Sequence, residues 1–255
     1  MTGAAFSFLA VATADLVAGG LGGTPAGRRR VWAGIAAAAL VLLAGASLAD
    51  WSLALAVALG VSLLGVAAWL FVRSVPKIGP RRAWGALTIL GAHLALGIAG
   101  ESWWQVRSLD GLGDWLESLA FPALNMLEGE SLLLIIGLFL FLSATTNGIV
   151  RLLLIAAGTR AGRSEERLRG GRMIGVLERW LIVALMLAGQ PTAAGLVVSA
   201  KSILRFPELN QAARESPGGE RGAGRVDHVT EYFLLGSLCS WFVAVVLALL
   251  FVGPF

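Results

Sequence analysis

Residues 171–206 read GRMIGVLERWLIVALMLAGQPTAAGLVVSAKSILRF. Two short apolar runs meet there at Gly189-Gln190-Pro191, with Glu178, Arg179, Lys201 and Arg205 in or beside them. Charged side chains next to apolar helix are costly in a bilayer and call for a structural partner or a task. Whether this stretch crosses a membrane once or turns back on itself decides how the rest of the chain is threaded.

Composition sets the class. The chain of 255 residues is 57% hydrophobic and 14% charged, where a soluble domain is roughly 45–50% apolar and about 25% charged. Several runs reach the roughly 18 apolar residues that a span requires. The expected fold is all-α, a polytopic integral membrane helical bundle with the lipid bilayer as its first partner. The net charge of +4 belongs to Arg-bearing loops, as in other multi-spanning proteins. Nucleic acid is not an expected partner, because no basic helix or aromatic platform stands free of the membrane. Cys239 is the one cysteine and lies in an apolar run. It can form no intrachain disulfide, no metal-ligand spacing exists, and no cofactor is implied. No Lys or Arg precedes the first apolar run, which argues against a cleaved signal peptide. Abundant Ala, Gly, Val and Arg with little Lys point to a bacterial source.

Outward from the quoted stretch, the spans read as follows. Residues 2–21 form a weak first span, interrupted by Asp15 and ended by Gly19, Gly20, Gly22 and Gly23. Asp15 reads first as a bundle-facing or interfacial group and second as a proton carrier. Spans 31–49 and 52–72 are joined by Asp50-Trp51, so they are expected to lie antiparallel and adjacent. Span 83–100 contains His93, read as a bonded packing residue. Residues 101–130 carry six carboxylates against Arg107, with Trp103, Trp104 and Trp115 at an interfacial position. Polar and apolar residues from Asp114 to Phe121 recur at helical spacing, which fits a short surface helix; a plain acidic connection fits equally. Span 131–157 is expected to start at a Ser131 N-cap and carries Asn147 and Arg151 in its second half. A polar loop at 207–230 precedes the last span, from about Thr230 to Val252. Three regions result: N-terminal spans 1–100, an extracytoplasmic acidic loop 101–130, and a membrane core 131–255.

Loop charge settles the threading. The basic loops are 22–30, 73–82, 158–172 and the Arg-bearing 201–225. All of them reach the cytoplasm only if 172–206 goes in and comes back on the same side. One unbroken span there would export Lys201, Arg205 and three further arginines, and Pro191 falls in mid-run. A hairpin is expected, full-depth or re-entrant, giving about 6–8 spans. Both termini and the 101–130 loop then lie outside the cytoplasm, in a multi-pass protein of the plasma (inner) membrane.

Arg179 and Lys201 stand equally far from Gln190, so Glu178 falls about level with Lys201 and Ser202 across the hairpin. At 1.5 Å per residue that is about 17 Å from the turn, and a Glu178–Lys201 ion pair is expected. The wider candidate cluster is Glu178, Arg179, Lys201, Ser202, Arg205, Arg151 and Asn147. One reading is snorkelling side chains around an ion pair that fixes the hairpin. Another is a basic pocket for an anion, most simply a phospholipid headgroup. A third is an anion or proton pathway. No HExxH, GxSxG or P-loop occurs. Ser199 and Ser202 do not share a helix face with Lys201, so a Ser–Lys dyad is not expected.

Three blocks carry a family resemblance. They are Gly171-x-x-Ile174-Gly175-x-Leu177-Glu178-Arg179, then Ala200-Lys201-Ser202 with Arg205-Phe206, then Glu231-Tyr232 with Gly236. Together they resemble the C-terminal half of a group of small bacterial multi-spanning membrane proteins whose shared domain has no assigned function. The resemblance covers residues 171–245, about a third of the chain. The His…Asp-Phe…Gln pattern of that group's first spans does not occur here. The resemblance implies an inner-membrane location and a shared core, makes Glu231 and Tyr232 secondary site candidates, and implies no activity. The expected function is a non-enzymatic scaffold or accessory component that binds an anionic lipid, another membrane protein or a second copy. The alternative is a small transporter or channel using the same cluster.

Overall fold

The computed structural model describes residues 2–22, 27–104, 109–119, 128–158, 169–200 and 220–251. The side chains of 22, 110–111, 169–172, 220–233 and 251 are not among those described. Among the described residues the chain is all-α. Five helices are long and apolar enough to cross a membrane: α1 (Thr2–Gly19), α2 (Arg28–Ser47), α3 (Leu53–Arg73), α4 (Pro80–Ala99) and α6 (Gly129–Ala156). The short α5 (Asp110–Ser118) precedes α6. Beyond α6 come α7 (Arg169–Leu187), α8 (Pro191–Ala200) and α9 (Glu220–Phe251). These are the helices of a multi-spanning membrane protein. The chain divides into two compact units, Met1–Gly148 and Ile149–Phe255.

In the first unit, α1 is the centre. It is apolar on every side, and a helix without a polar face belongs inside a bundle. From Thr2 to Ala12 every residue is buried, and so are Ala14, Asp15 and Ala18. The span expected to be weak, with low hydropathy among the candidate spans, is the most enclosed helix described. The surrounding helices each bury one stripe. On α2 it is Val31, Gly34, Ala38, Leu42 and Gly45. On α3 it is Leu55, Ala58, Ser62, Val66, Trp69 and Arg73. On α4 it is Ala83, Ala86, Leu90, His93 and Gly97. The spacing of three and four is that of one helix face, and the opposite faces carry most of the exposed residues of these helices.

Small residues set the separations, as they do where membrane helices approach closely. A Cβ on Gly34 would lie 2.6 Å from the Ala14 carbonyl oxygen, and one on Gly45 would lie 2.8 Å from the Phe6 ring. Gly137 brings α6 against Ala5, Phe8 and Leu9, and Phe141 meets Phe8 edge to face at 5.0 Å. His93 sits beside Gly65, with Nε2 3.5 Å from the Ser7 carbonyl oxygen; it is buried packing, as expected.

Antiparallel threading collects the helix ends into two groups. At one end Glu101 accepts from the Thr2 hydroxyl at 3.1 Å and from the Gly3 and Ala4 amides. A carboxylate there satisfies N–H groups that the start of α1 would otherwise leave unpaired. Phe6 stacks on Trp104 at the same end, 5.3 Å between centroids. At the other end Trp32 of α2 meets Phe71 of α3 at 5.5 Å. The α2–α3 turn is as short as Asp50-Trp51 requires, and Ser52 caps α3 by accepting from the Leu55 amide at 3.0 Å. Ser131 does not cap α6. The helix already runs from Gly129, with the Glu128 carbonyl accepting from the Leu132 amide at 3.1 Å.

The short helix expected near Asp114 is present as α5. Leu116 is its buried residue, while Trp115, Asp114 and Glu117 are exposed. Leu109 and Leu112 lie against Gly129 at the start of α6.

In the second unit α7 packs on α9. Val176, Arg179, Ile182, Val183 and Met186 form its buried stripe; Ser240, Ala244, Leu247 and Ala248 form that of α9. Gly236 of α9 rests on Val150 and Leu154 of α6. The expected turn is present. Gly189 has φ +71, its amide donates to the Met186 carbonyl at 3.0 Å, and the Gln190 amide donates to Leu185 at 2.8 Å. This pair of bonds is a Schellman ending. Pro191 then opens α8 at the position where a helix needs no amide donor. Gly189→Ala should therefore cost about 1 kcal/mol or more, because a Cβ strains left-handed backbone. Thermal unfolding in detergent would show it as a lowered midpoint; an unchanged midpoint would mean that the turn tolerates another conformation. Helix α9 begins at Glu220, ahead of the Thr230 expected.

Candidate functional site

The polar centre of the first unit is Asp15. It projects from α1 into α3, and its side chain and that of Arg73 are each 3% exposed. Arg73 Nη1 donates to Asp15 Oδ1. The Trp69 indole N–H donates to Oδ2 at 3.0 Å. Both carboxylate oxygens thus have a donor. The guanidinium carbon lies 4.4 Å over the Trp69 ring, a cation–π arrangement that gains strength away from water. Trp69 and Arg73 are one helical turn apart, so one face of α3 supplies both partners. Gly148 of α6 closes the far side: a Cβ there would collide with the guanidinium. One residue earlier, Asn147 Nδ2 donates to the Leu21 carbonyl at 3.0 Å and to the Ser143 carbonyl at 3.3 Å. The expectation of a bundle-facing Asp15 holds. Its partners were not foreseen.

The candidate cluster read from the sequence is spread over the chain. Asn147 belongs to the first unit. Arg151, Glu178 and Arg179 belong to the second. Lys201, Ser202 and Arg205 lie outside the described residues, as do the side chains of Glu231 and Tyr232, and with them the expected Glu178–Lys201 pair. Arg179 is the buried member, 2% exposed. Its Nη1 donates to Ser240 Oγ on α9 at 2.8 Å, while Glu178 is half-buried beside it. The reason is helix phase: Arg179 falls in the stripe with Val176, Val183 and Met186, and Glu178 falls one position off it. Arg151 Nε is buried and has no hydrogen-bond partner among the described residues. Ser199 Oγ donates to the Gly195 carbonyl at 3.0 Å, a bond back to its own helix. Ser240 was missed because a serine in a span carries no signal alone. Arg179 was read from the sequence as one cation of a cluster counted from the turn; its place on a core stripe is what the structure adds.

Chemically, the Asp15 site is a closed ion pair with its acceptors and its ring contact satisfied. It is built to hold α1 to α3. Among the described residues no group of three or more His, Cys, Asp or Glu is placed to hold a metal ion. Comparison with family models, with curated proteins and with solved structures gives no match.

Proposed function

We propose that the chain is a non-enzymatic scaffold or accessory component of a bacterial inner membrane, holding another membrane protein or a second copy of itself. The observation that carries this reading is the Asp15–Arg73–Trp69 arrangement. Buried charges in a transport path must change partners, whereas this pair is locked by a ring and by the approach of Gly148. A buried pair of this kind specifies which helices meet rather than adding net stability. The three blocks between Gly171 and Gly236 that resemble an uncharacterised bacterial family support the inner-membrane placement.

Charge supports an orientation. Arg28, Arg29, Arg30, Lys77, Arg81 and Arg82 are exposed at one end of the first unit; Asp50, Asp114, Glu117 and Glu128 are exposed at the other. The basic end faces the cytoplasm under the positive-inside rule. In a Cys239→Ser background, Lys77→Cys should react with a membrane-impermeant maleimide only after cells are opened, and Asp114→Cys in intact cells. The reverse pattern sinks the orientation.

A second reading, a small anion transporter, has its own support. Arg179 is a cation buried in the second unit, and Arg151 in the same unit presents a buried Nε with no described partner. Reconstituted vesicles separate the two. On the scaffold reading, wild-type vesicles show no anion flux and Arg179→Ala lowers the yield of folded protein. Flux that Arg179→Ala abolishes at unchanged yield would replace the scaffold reading with transport.

A further inference from the structure

One hexad occurs twice in the first unit. Gly27-Arg28-Arg29-Arg30-Val31-Trp32 opens α2, and Gly79-Pro80-Arg81-Arg82-Ala83-Trp84 opens α4. Both copies are presented alike. The arginines are exposed, Val31 and Ala83 are 1% and 0% exposed, and Trp32 and Trp84 are 53% and 57% exposed. Both helices start from the same end of the bundle, because α2 and α4 each run antiparallel to α3 through a short turn. Lys77, Gly79, Pro80, Arg81 and Arg82 line an open depression of about 500 Å³ at that end.

Among the described residues of the first unit, no carboxylate other than Asp15 stands at that end. Between Asp15 and Glu101 the sequence holds one acid, Asp50, and Asp50 lies at the opposite end. Asp15 itself is taken by Arg73. Neither α2 nor α4 has an acid in its first turn, and neither Gly27 nor Gly79 offers a side-chain cap. Cations at a helix start oppose the helix dipole, so the arginines are not there for the helix. A Trp ring one turn further along marks the headgroup level of a bilayer.

We propose that the basic end of the first unit binds anionic phospholipid headgroups, with Arg29, Arg30, Arg81 and Arg82 taking the phosphodiesters and Trp32 and Trp84 seating beside the acyl boundary. The proposal rests on the bilayer reading of α2 and α4 and is independent of the choice between scaffold and transporter. Arginine suits the task because its planar fork grips phosphate oxygens in pairs. The occupant is a lipid rather than a free phosphate, because the basic residues and the exposed rings occur together in both copies.

The test uses the full chain in phosphatidylcholine nanodiscs, with and without phosphatidylglycerol. Native mass spectrometry counts retained lipid, and thermal unfolding follows stability. Phosphatidylglycerol should be retained and should raise the unfolding midpoint. The variant Arg29→Gln/Arg30→Gln/Arg81→Gln/Arg82→Gln should retain it at least about tenfold less well, since each basic residue near the surface contributes about 1 kcal/mol. A control with the same charge loss, Arg160→Gln/Arg163→Gln/Arg167→Gln/Arg169→Gln, should retain it as the parent does. Equal loss in the control would reduce the effect to net charge and overturn the site. Inorganic phosphate that matched the lipid's stabilisation would overturn the choice of a headgroup. An unfolded quadruple variant is told apart by its circular dichroism, and the pair Trp32→Leu/Trp84→Leu then serves instead. It keeps every charge and should still weaken retention; unchanged retention in that pair would overturn the proposal.

Discussion

Replacing Asp15 by asparagine should destabilise the protein by about 3–5 kcal/mol, the range for breaking one side of a buried ion pair. Asparagine keeps the shape and can still accept from the Trp69 indole. It removes the charge that compensates Arg73, whose side chain is 3% exposed and has Trp69 and Gly148 against it. Arg73→Met should cost a similar amount for the complementary reason, since Asp15 would keep its charge and lose its cation. Joining the two substitutions should recover most of the loss, because a neutral pair of similar volume has nothing left to desolvate. Chemical denaturation in mixed micelles measures all three variants, and the coupling follows from the double-mutant cycle. If the double variant were as unstable as the sum of the singles, the pair would not be acting as a pair.

The second large effect belongs to Gly34. A Cβ there meets the Ala14 carbonyl oxygen at 2.6 Å, with Ala18 Cβ and Leu70 Cδ1 both at 3.1 Å. The nearest atom is backbone of α1 and cannot rotate away, so α2 must move off. Gly34→Ala should cost about 1–3 kcal/mol, the usual penalty of overpacking, and Gly34→Val more. Gly60, Gly85 and Gly91 give the contrast: nothing lies within 4 Å of a Cβ at any of them. Alanine at those positions should be neutral, or stabilising by about 0.5–1 kcal/mol through helix propensity. The same denaturation series reads both sets, and equal responses at Gly34 and Gly60 would contradict the close approach of α1 and α2.

Much of the architecture was legible because it is written locally. Apolar run length marked the spans, Asp50-Trp51 was too short for anything but an antiparallel turn, and Gly189-Gln190-Pro191 announced both a helix end and a helix start. The centre of the bundle was not legible. α1 has lower hydropathy than α3 or α6 and carries an acid, so it read as a weak first span. Its burial is a property of its neighbours: the glycines of α2, α4 and α6 receive it, and no local pattern in α1 reports them. For the same reason Asp15 showed no partner, since Trp69 and Arg73 belong to another helix. In the second unit the charged residues were found but weighted by their distance from the turn. Helix phase was the better guide, because it put Arg179 on the core stripe facing Ser240.

Asp15 also bears on the order in which the chain is assembled. Its ion partner stands 58 residues further along, so α1 leaves the ribosome long before Arg73 is made. A lone carboxylate in a span costs roughly 2.5–3.5 kcal/mol on insertion scales. Seating α1 before α3 would leave that carboxylate without its cation, so α1 is expected to settle only once α3 is in place. Until α3 has been threaded, α1 has reason to wait at the membrane surface or beside the translocation machinery, and the making of Arg73 is the event that releases it into the bundle.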